Sequence, residues 1–282
     1  MPVYNGERYL RLALDGLLAL TFTDFELVIS DNASTDRTPA ICLEYAARDP
    51  RIRYVRQESN LGAARNINAV VELAGSPLFM WHADDDLAEP ELLAALVAEL
   101  DHRPDAVLAY CVAVPIDADG NVVAHKPRPL DLGATDPVRR FEICLDPIPY
   151  TENVNYALMR HDVLLRTQRH GPFAGGDRGL AAELALHGPF ARIDRPLFRR
   201  RLAVTARSAS ETESYNTGRP ARFGLREWRI LGHNLRSIRR APVPPPVRRR
   251  LYGAVARHLR LHPARYLGEL KDAVRGLAGS RA

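Results

Sequence analysis

The sequence lacks the features that mark membrane, secreted and disulfide-stabilised proteins. It contains no apolar run of about 18 residues, the length that a membrane-spanning helix needs. No basic segment followed by an apolar one opens the chain, so no secretory signal is visible. Its three cysteines, Cys42, Cys111 and Cys144, are too few and too scattered for a disulfide framework or a zinc site. We therefore expect buried thiols in a cytoplasmic protein.

Other absences narrow the class of protein. Glycine and proline number 18 and 21 and show no repeating period, which excludes a collagen-like or coiled-coil chain. No Gly-x-Gly-x-x-Gly motif follows the first predicted strand, which argues against a nicotinamide-dependent dehydrogenase. The glycine-rich, basic loop that a sugar nucleotidyltransferase needs near its N-terminus is also absent. Hydrophobic residues make up 46% of the 282 positions, which is enough for a sizeable globular core.

Lysine is scarce, with only Lys126 and Lys271, so arginine carries most of the positive charge. The charge is also unevenly placed along the chain. Residues 207–282 contain 17 Lys and Arg and five Asp and Glu, a net charge of +12, whereas residues 1–206 have a net charge of −7. We therefore expect an acidic domain over residues 1–206 and a basic, largely helical extension over residues 207–282.

Hydrophobic periodicity predicts alternating short strands and helices in the first part of the chain. This alternation is typical of an α/β fold with a mostly parallel sheet flanked by helices. In such sheets ligands bind beyond the carboxyl ends of the strands. The predicted strands are 25–30, 52–56, 77–82 and 106–114, and the predicted helices are 7–20, 38–48, 62–74 and 90–100.

The second half of the chain is less regular. A hairpin signal lies at 117–121, and prolines make 125–137 a predicted loop. A further change of pattern beyond Arg207 marks the start of the basic extension. The other predictions are helices at 136–145 and after Gly176, strands at 154–160, 190–193 and 197–202, and amphipathic helices at 222–240 and 248–276, separated by the proline-rich segment 242–246.

Three consecutive carboxylates, Asp84, Asp85 and Asp86, follow a predicted strand. Adjacent like charges repel, so such a cluster is favourable when it binds a cation or is exposed to solvent. Carboxylate oxygens are hard ligands that favour Mg²⁺ or Mn²⁺. The residues alone leave two alternatives open, a divalent-metal site and a solvated acidic loop.

Two further polar segments lie at predicted strand-to-helix connections. Residues 31–36 read Asp-Asn-Ala-Ser-Thr-Asp, and residues 60–66 read Asn-Leu-Gly-Ala-Ala-Arg-Asn. Each is by itself an ordinary loop with helix-capping residues. The second segment would also bring a helix N-terminus and Arg65 towards a phosphate group.

Taken in order, these segments and Pro-Val-Tyr-Asn at 2–5 resemble the family 2 glycosyltransferases. The resemblance covers residues 2–114 and, more loosely, 171–205. It implies a GT-A fold and an inverting transfer of a sugar from a nucleoside-diphosphate donor of UDP or dTDP type to an acceptor hydroxyl. It also implies Mg²⁺ or Mn²⁺ as cofactor, and a role in polysaccharide or glycoconjugate synthesis.

The resemblance also assigns residues to the donor. Tyr4 would pack on the nucleobase, Asp31 would bind the base or ribose, and Arg65 would reach the base or phosphate. The acidic motif of the family contacts the ribose and the metal. The implied donor-binding residues are Pro2, Tyr4, Asn5, Glu7, Asp31, Arg65, Asp84 and Asp85, and the implied metal ligands are Asp85 and Asp86.

Asp177 is the implied general base, which would take the proton of the acceptor hydroxyl. The alternative role of Asp177 is a helix N-cap, and Glu183 is the next candidate base. In the arginine run 199–201, one face of a strand would reach the diphosphate. Four residues are expected to have no role in the site, with Trp81 and His82 packed and His161 and His170 exposed.

The sequence departs from the family pattern in several places. Ala83 stands where the family commonly has the first Asp of its motif, and Gly176 replaces the Glu before the base. Leu202-Ala203 stands where a His often follows the last strand. The apolar strand before Pro-x-Tyr-Asn is missing, so either the start codon is assigned too late or another segment fills the gap, and we favour the first explanation. The alternative function is therefore a catalytically inactive, nucleotide-binding or scaffold protein of the same fold.

The basic extension has three alternative uses. Its apolar helix faces would pack on residues 1–206, form a homo-oligomer, or lie on an anionic surface of the inner membrane, where lipid-linked acceptors are found. The acceptor itself, lipid-linked or a glycan, has no motif in the sequence. Because the extension lacks interleaved aromatic residues, we expect no nucleic-acid partner.

Overall fold

Two β-sheets flanked by helices make up the fold in the computed structural model, which describes residues 1–126, 128–149, 151–202, 209–218 and 225–279. The predicted α/β fold is confirmed. The strands are β1 (Pro2–Val3), β2 (Leu27–Asp31), β3 (Ile52–Arg56), β4 (Leu78–Phe79), β5 (Leu87–Ala88), β6 (Leu108–Ile116), β7 (Leu158–Arg160) and β8 (Phe190–Arg201). The helices are α1 (Leu10–Leu18), α2 (Thr38–Arg48), α3 (Ala63–Leu73), α4 (Leu92–His102), α5 (Pro137–Leu145), α6 (His161–Arg166), α7 (Gly176–His187), α8 (Ala209–Thr217), α9 (Arg226–Arg240), α10 (Pro245–Leu261) and α11 (Pro263–Gly279).

The first sheet has the order β1-β2-β3, and its strands are parallel as predicted. Its first strand is short but present, since Pro2 pairs with Ser30 and Val3 pairs with Asp31. The Met1 nitrogen also donates a hydrogen bond to the Val28 carbonyl at 2.7 Å. The segment after β1 is therefore fixed beside the carboxyl end of β2.

The second sheet has the order β4-β7-β6-β8-β5 and is mixed. Only β6 and β8 run parallel in it, while the short strands β4, β5 and β7 pair antiparallel with their neighbours. The predicted strands 190–193 and 197–202 form one continuous strand. The pairing of β8 with β6 shifts in register between the two predicted segments: Cys111 pairs with Ile193, whereas the next residue, Val112, pairs with Pro196.

Two clusters of buried apolar side chains form the core. One cluster lies between α1, α2 and α4 and the sheets, and includes Leu14, Ile29 and Phe198. The other joins α5 and α7 to the basic extension. Ile238 of α9 and Leu251 of α10 are both fully buried in it. Part of the extension is therefore packed into the same core as residues 1–206.

The helices of the extension differ from the sequence prediction, and α10 begins at Pro245, inside the proline-rich segment predicted to separate the two helices. The predicted helix 248–276 is two helices, because Pro263 has no N–H to continue α10 and instead begins α11. Helix α8 was not predicted, since its sequence lacks apolar periodicity. None of the described helices is long and apolar enough to cross a membrane.

Candidate functional site

A cavity of about 940 Å³ opens where the two sheets meet, and several distant segments line it. Five residues implied from the sequence lie on its wall: Pro2, Tyr4, Asp84, Asp85 and Asp177. Five others are not on the wall: Asn5, Glu7, Asp31, Arg65 and Asp86. The structure therefore brings together residues from three segments: the start of the chain, the loop between β4 and β5, and α7.

The loop after β1 is held by hydrogen bonds that leave Tyr4 at the cavity, where the residue is 42% exposed. The Asn5 backbone nitrogen donates to Ser34 Oγ at 2.9 Å, with Asn5 itself at a φ of 53°. The Arg37 nitrogen donates to Glu7 Oε2 at 2.9 Å. Asn5 and Glu7 thus brace this loop against the loop that follows β2.

Asp31 is fully buried behind the cavity wall, at the carboxyl end of β2. Its carboxylate accepts hydrogen bonds from the Tyr54 hydroxyl and from Arg56 Nη1, each at 2.7 Å. It also accepts from the Ser34 nitrogen at 2.8 Å. Burial, followed by the Asp31 carboxylate, raises the pKa of Tyr54 to about 12. Arg65, by contrast, is exposed on α3.

The acidic loop, residues 80–86, is anchored at both ends by the short strands β4 and β5. Burial, followed by repulsion from Asp85, raises the pKa of Asp84 and of Asp86 to about 7. Burial also raises the pKa of Asp85. Asp86 Oδ1 accepts the backbone N–H of Arg201 at 2.7 Å. Asp84 and Asp85 are therefore the two carboxylates of this loop that face the cavity.

Two contacts hold the acidic loop in shape. Gly6 packs against Asp84 so closely that a Cβ at Gly6 would lie 2.0 Å from Asp84 Oδ2. On the other side, Arg201 Nε donates to the Asp85 carbonyl at 2.9 Å. The Arg201 guanidinium also lies 4.1 Å from the centre of the Tyr9 ring. The absence of a side chain at Gly6 is thus required for the observed position of Asp84.

The acidic loop fits a divalent cation. Asp84 and Asp85 offer oxygen ligands at the cavity, and burial raises the pKa of both carboxyls, with repulsion from Asp85 adding to the effect at Asp84. Bound Mg²⁺ or Mn²⁺ would relieve this repulsion. Ala203, at the position where the family often has a His, lies outside the described residues.

His82 is part of the acidic loop and lines the cavity, although its sequence position indicated only packing. Burial lowers its pKa to about 4, so the imidazole is neutral. His82 Nδ1 lies 2.7 Å from the Ala83 carbonyl, a geometry that assigns the proton to Nδ1 and leaves a lone pair on Nε2. That Nε2 atom is buried and has no hydrogen-bond partner among the described residues.

Asp177 lies in the first turn of α7 and faces the cavity. Its Oδ2 accepts a hydrogen bond from Asn155 Nδ2 at 3.0 Å, and its Oδ1 accepts from the Arg178 nitrogen at 2.9 Å. The N-cap position of α7 belongs to Gly175. Glu183, the second candidate base, is buried against His233, with 3.2 Å between Glu183 Oε2 and His233 Nε2, and is not on the cavity wall.

The arginine run on β8 places one cation at the cavity, as alternation along a strand predicts. Arg200 lines the wall, and its guanidinium lies 5.6 Å from the centre of the Tyr156 ring. Arg199 points away and pairs with Glu89 at 2.6 Å. Arg200 is therefore the arginine of this run that a diphosphate in the cavity would meet.

Two histidines differ from the prediction that both are exposed. His161 is buried, with its ring nitrogens near the carbonyls of Ser76 and Val71. His170 lies on the cavity wall, and burial lowers its pKa. Neither position has a periodic signal, because both residues lie at the edges of short or irregular segments.

Another part of the cavity wall is formed by Ser214 and Tyr215 of α8 and by Gly218, which directly follows this helix. The end of α8 meets the start of α3, where a Cβ at Gly62 would lie 2.4 Å from the Gly218 nitrogen. Both glycines have positive φ, 82° at Gly62 and 67° at Gly218. Two backbones in left-handed conformations therefore bring α8 against the N-terminus of α3.

A mixed α/β fold with polar loops around one such cavity is the architecture of GT-A glycosyltransferases. The family model described as Glycosyl transferase family 2 matches residues 1–175, and the chain belongs to this family. The resemblance predicted from the ordered motifs is thereby confirmed.

Curated relatives match part of the chain. An uncharacterized protein of Mycobacterium tuberculosis is 39% identical over 121 residues, which are 42% of this chain and 35% of that protein. Chondroitin synthase of Escherichia coli is 30% identical over 125 residues, which are 44% of this chain and 18% of that protein. The matched region thus spans about a third or less of the length of these relatives.

Solved structures match nearly the whole chain. TarS of Staphylococcus aureus in complex with UDP-GlcNAc has a TM-score of 0.67 at 17% identity, over 98% of this chain and 79% of that chain. The mannosyltransferase PcManGT of Pyrobaculum calidifontis, in complex with GDP-Man and Mn²⁺, has a TM-score of 0.57 at 20% identity, over 99% and 73%. These likenesses confirm the predicted GT-A fold.

Proposed function

We propose that this protein transfers a sugar from a UDP- or dTDP-sugar to an acceptor hydroxyl, with inversion at the anomeric carbon. The observation that carries this proposal is that one cavity is lined by Tyr4, by the Asp84–Asp85 pair and by Asp177, which come from three separate segments. Membership of glycosyl transferase family 2 and the UDP-GlcNAc complex of TarS support it.

The donor lies along the first sheet in this proposal. Tyr4, half-exposed at the cavity, packs on the nucleobase. Pro2 lies beside it on the same wall. Asn5, Glu7 and Asp31 act by fixing the loops that form this part of the wall. Arg200 supplies the positive charge for the diphosphate, because Arg65 is exposed and off the wall.

Asp85, with Asp84 beside it, holds the divalent cation, Mg²⁺ or Mn²⁺. A bound cation balances the negative charge that develops on the departing diphosphate. The Mn²⁺ complex of PcManGT supports this choice of cofactor. Asp86 contributes by holding the loop to β8, since its Oδ1 accepts the Arg201 N–H.

Asp177 is the general base. The acceptor oxygen attacks the anomeric carbon, its proton passes to Asp177, and the bond from that carbon to the diphosphate oxygen breaks. A single displacement of this kind inverts the configuration. The hydrogen bonds from Asn155 and from the Arg178 nitrogen fix the carboxylate, so that its orientation is set before the acceptor arrives.

Donor binding tests this proposal. Calorimetric titration with UDP, dTDP and GDP, with and without Mn²⁺, should show metal-dependent binding of UDP or dTDP. Asp85→Asn should weaken that binding by about tenfold or more. Asp101→Asn, at an exposed Asp of α4, is the matched control and should bind as the unmodified protein does. Equal binding by Asp85→Asn would remove Asp85 from the metal site.

We propose further that α11 lies on an anionic membrane surface, where lipid-linked acceptors are found. Leu267, Leu270 and Val274 are exposed on this helix at spacings that place them on one face. Lys271 and Arg275 lie exposed next to them, and the Arg275 guanidinium is 3.9 Å from the exposed Asp272 carboxylate. Each basic residue near such a surface contributes about 1 kcal/mol. Self-association through the same face is the competing outcome.

A further inference from the structure

A second cluster of metal-ligating side chains lies outside the donor cavity, where the end of α5 meets the end of α10. It consists of Asp146, directly after α5, and of His258 and His262 at the end of α10. One ligand atom from each of the three side chains lies within 4.8 Å of the other two. His262 Nε2 is 4.0 Å from Asp146 Oδ1.

The two histidines are spaced for chelation. They are four residues apart, so both project from the same side of α10, and their ring centres are 4.6 Å apart. His258 is 8% exposed, and its Nε2 is buried with no hydrogen-bond partner among the described residues. A buried nitrogen without a protein partner is a position that a bound ion or water can complete.

We propose that Asp146, His258 and His262 form a binding site for a divalent transition metal of the Zn²⁺ class. Two imidazoles and one carboxylate leave a fourth tetrahedral position open to water. Ligand atoms around tetrahedral Zn²⁺ lie about 3.3 Å apart, so ligand atoms that now lie within 4.8 Å of one another have to approach by up to about 1.5 Å when the ion binds. Imidazole ligands disfavour Mg²⁺, so this site is chemically distinct from the acidic loop.

Arg265 modulates the site. Its Nη1 donates to Asp146 Oδ1 at 2.7 Å, which places a fixed cation beside the third ligand. The carboxylate has a second oxygen, so Asp146 is able to keep this hydrogen bond and bind a metal. The Arg265 charge nevertheless repels a divalent ion and lowers its affinity.

A metal at this site would connect the end of α10, in the basic extension, to the end of α5. Exposed ion pairs already link the same helices, from Arg250 to Asp136 and from Arg257 to Glu142. Exposed pairs of this kind contribute little to stability. A metal with ligands on both sides fixes the end of α10 on α5 more firmly, independently of the transfer reaction.

Zinc titration of the full chain without a polyhistidine tag tests this inference. The protein is first freed of metal and then titrated with ZnCl₂ in millimolar Mg²⁺, which occupies oxygen-only sites. We expect one equivalent of Zn²⁺ to bind and to raise the melting temperature. His262→Gln should weaken binding by about tenfold or more. His102→Gln, at an exposed histidine of α4, should bind as the unmodified protein does.

Two further variants test the role of Asp146. Asp146→Asn should weaken Zn²⁺ binding, whereas Arg265→Gln, which removes the competing cation, should strengthen it several-fold. Circular dichroism establishes that each variant is folded before titration. Absence of Zn²⁺ binding to the unmodified protein, or equal binding by folded His262→Gln, would overturn the proposal. Weaker binding by Arg265→Gln would exclude Asp146 as the third ligand.

Discussion

Replacing Asp84 by Asn is expected to stabilise the metal-free protein, and more so at pH 8 than at pH 5. Burial, followed by repulsion from Asp85, raises the pKa of Asp84 from 3.8 to about 7. A carboxyl with a raised pKa in the folded state favours folding when protonated, and this contribution is lost as the pH rises towards 7. From these two pKa values, ionisable Asp84 costs about 4 kcal/mol at pH 8 and about 2 kcal/mol at pH 5, relative to a neutral side chain.

Thermal unfolding in the presence of a chelator measures this difference. At roughly 2 °C per kcal/mol, Asp84→Asn should raise the melting temperature by about 8 °C at pH 8 and by about half as much at pH 5. Added Mn²⁺ should raise the melting temperature of the unmodified protein and have much less effect on the variant. Asp101→Asn should show neither effect. The burial argument would be refuted if the difference in melting temperature between Asp84→Asn and the unmodified protein were the same at pH 5 and pH 8, or if the variant were not more stable at pH 8.

Two other predictions concern the acidic loop and α11. Gly6→Ala should weaken Mn²⁺-dependent nucleotide binding, measured by calorimetry, by about tenfold, because the new Cβ would displace Asp84. Gly16→Ala is the control, since the atom nearest to a Cβ at Gly16 would be 3.8 Å away. The full chain should float with anionic vesicles at low salt and not at high salt, and Val274→Asp should reduce flotation. Retention of all protein in the soluble fraction at low salt would refute membrane contact.

The elements with strong periodicity were predictable from the sequence. Helix α2 was predicted as observed, and α3 to within one residue at each end, because an apolar stripe and short connections define them. Strand β5 has only two residues, too few for a periodic pattern, and exists because it pairs with β8. Helix α8 is polar along its length, so tertiary contacts and not its own pattern define it.

The site residues that directly follow strands were predictable from the sequence. Residues whose place in the site depends on the direction of the side chain were less predictable. Tyr4 and Asp85 line the cavity, as their positions at strand ends indicated. Arg65 sits in the predicted helix, but the sequence does not show that it points outwards. The sequence does not distinguish His82 from a packed core histidine, because only the structure shows that its Nε2 is buried without a hydrogen-bond partner in the described part of the chain. Asn155 comes near Asp177 only through the tertiary fold.

The configuration of the released sugar tests the proposed reaction most directly. Water is able to replace the acceptor, so NMR of slow donor hydrolysis, recorded before the free sugar equilibrates, reports the first anomer formed. An α-linked UDP- or dTDP-sugar should give the β anomer, and Asp177→Asn should lower the rate by about 10²–10⁴-fold while donor binding stays unchanged. Release of the α anomer, or an unchanged rate in Asp177→Asn, would contradict an inverting transfer with Asp177 as its base.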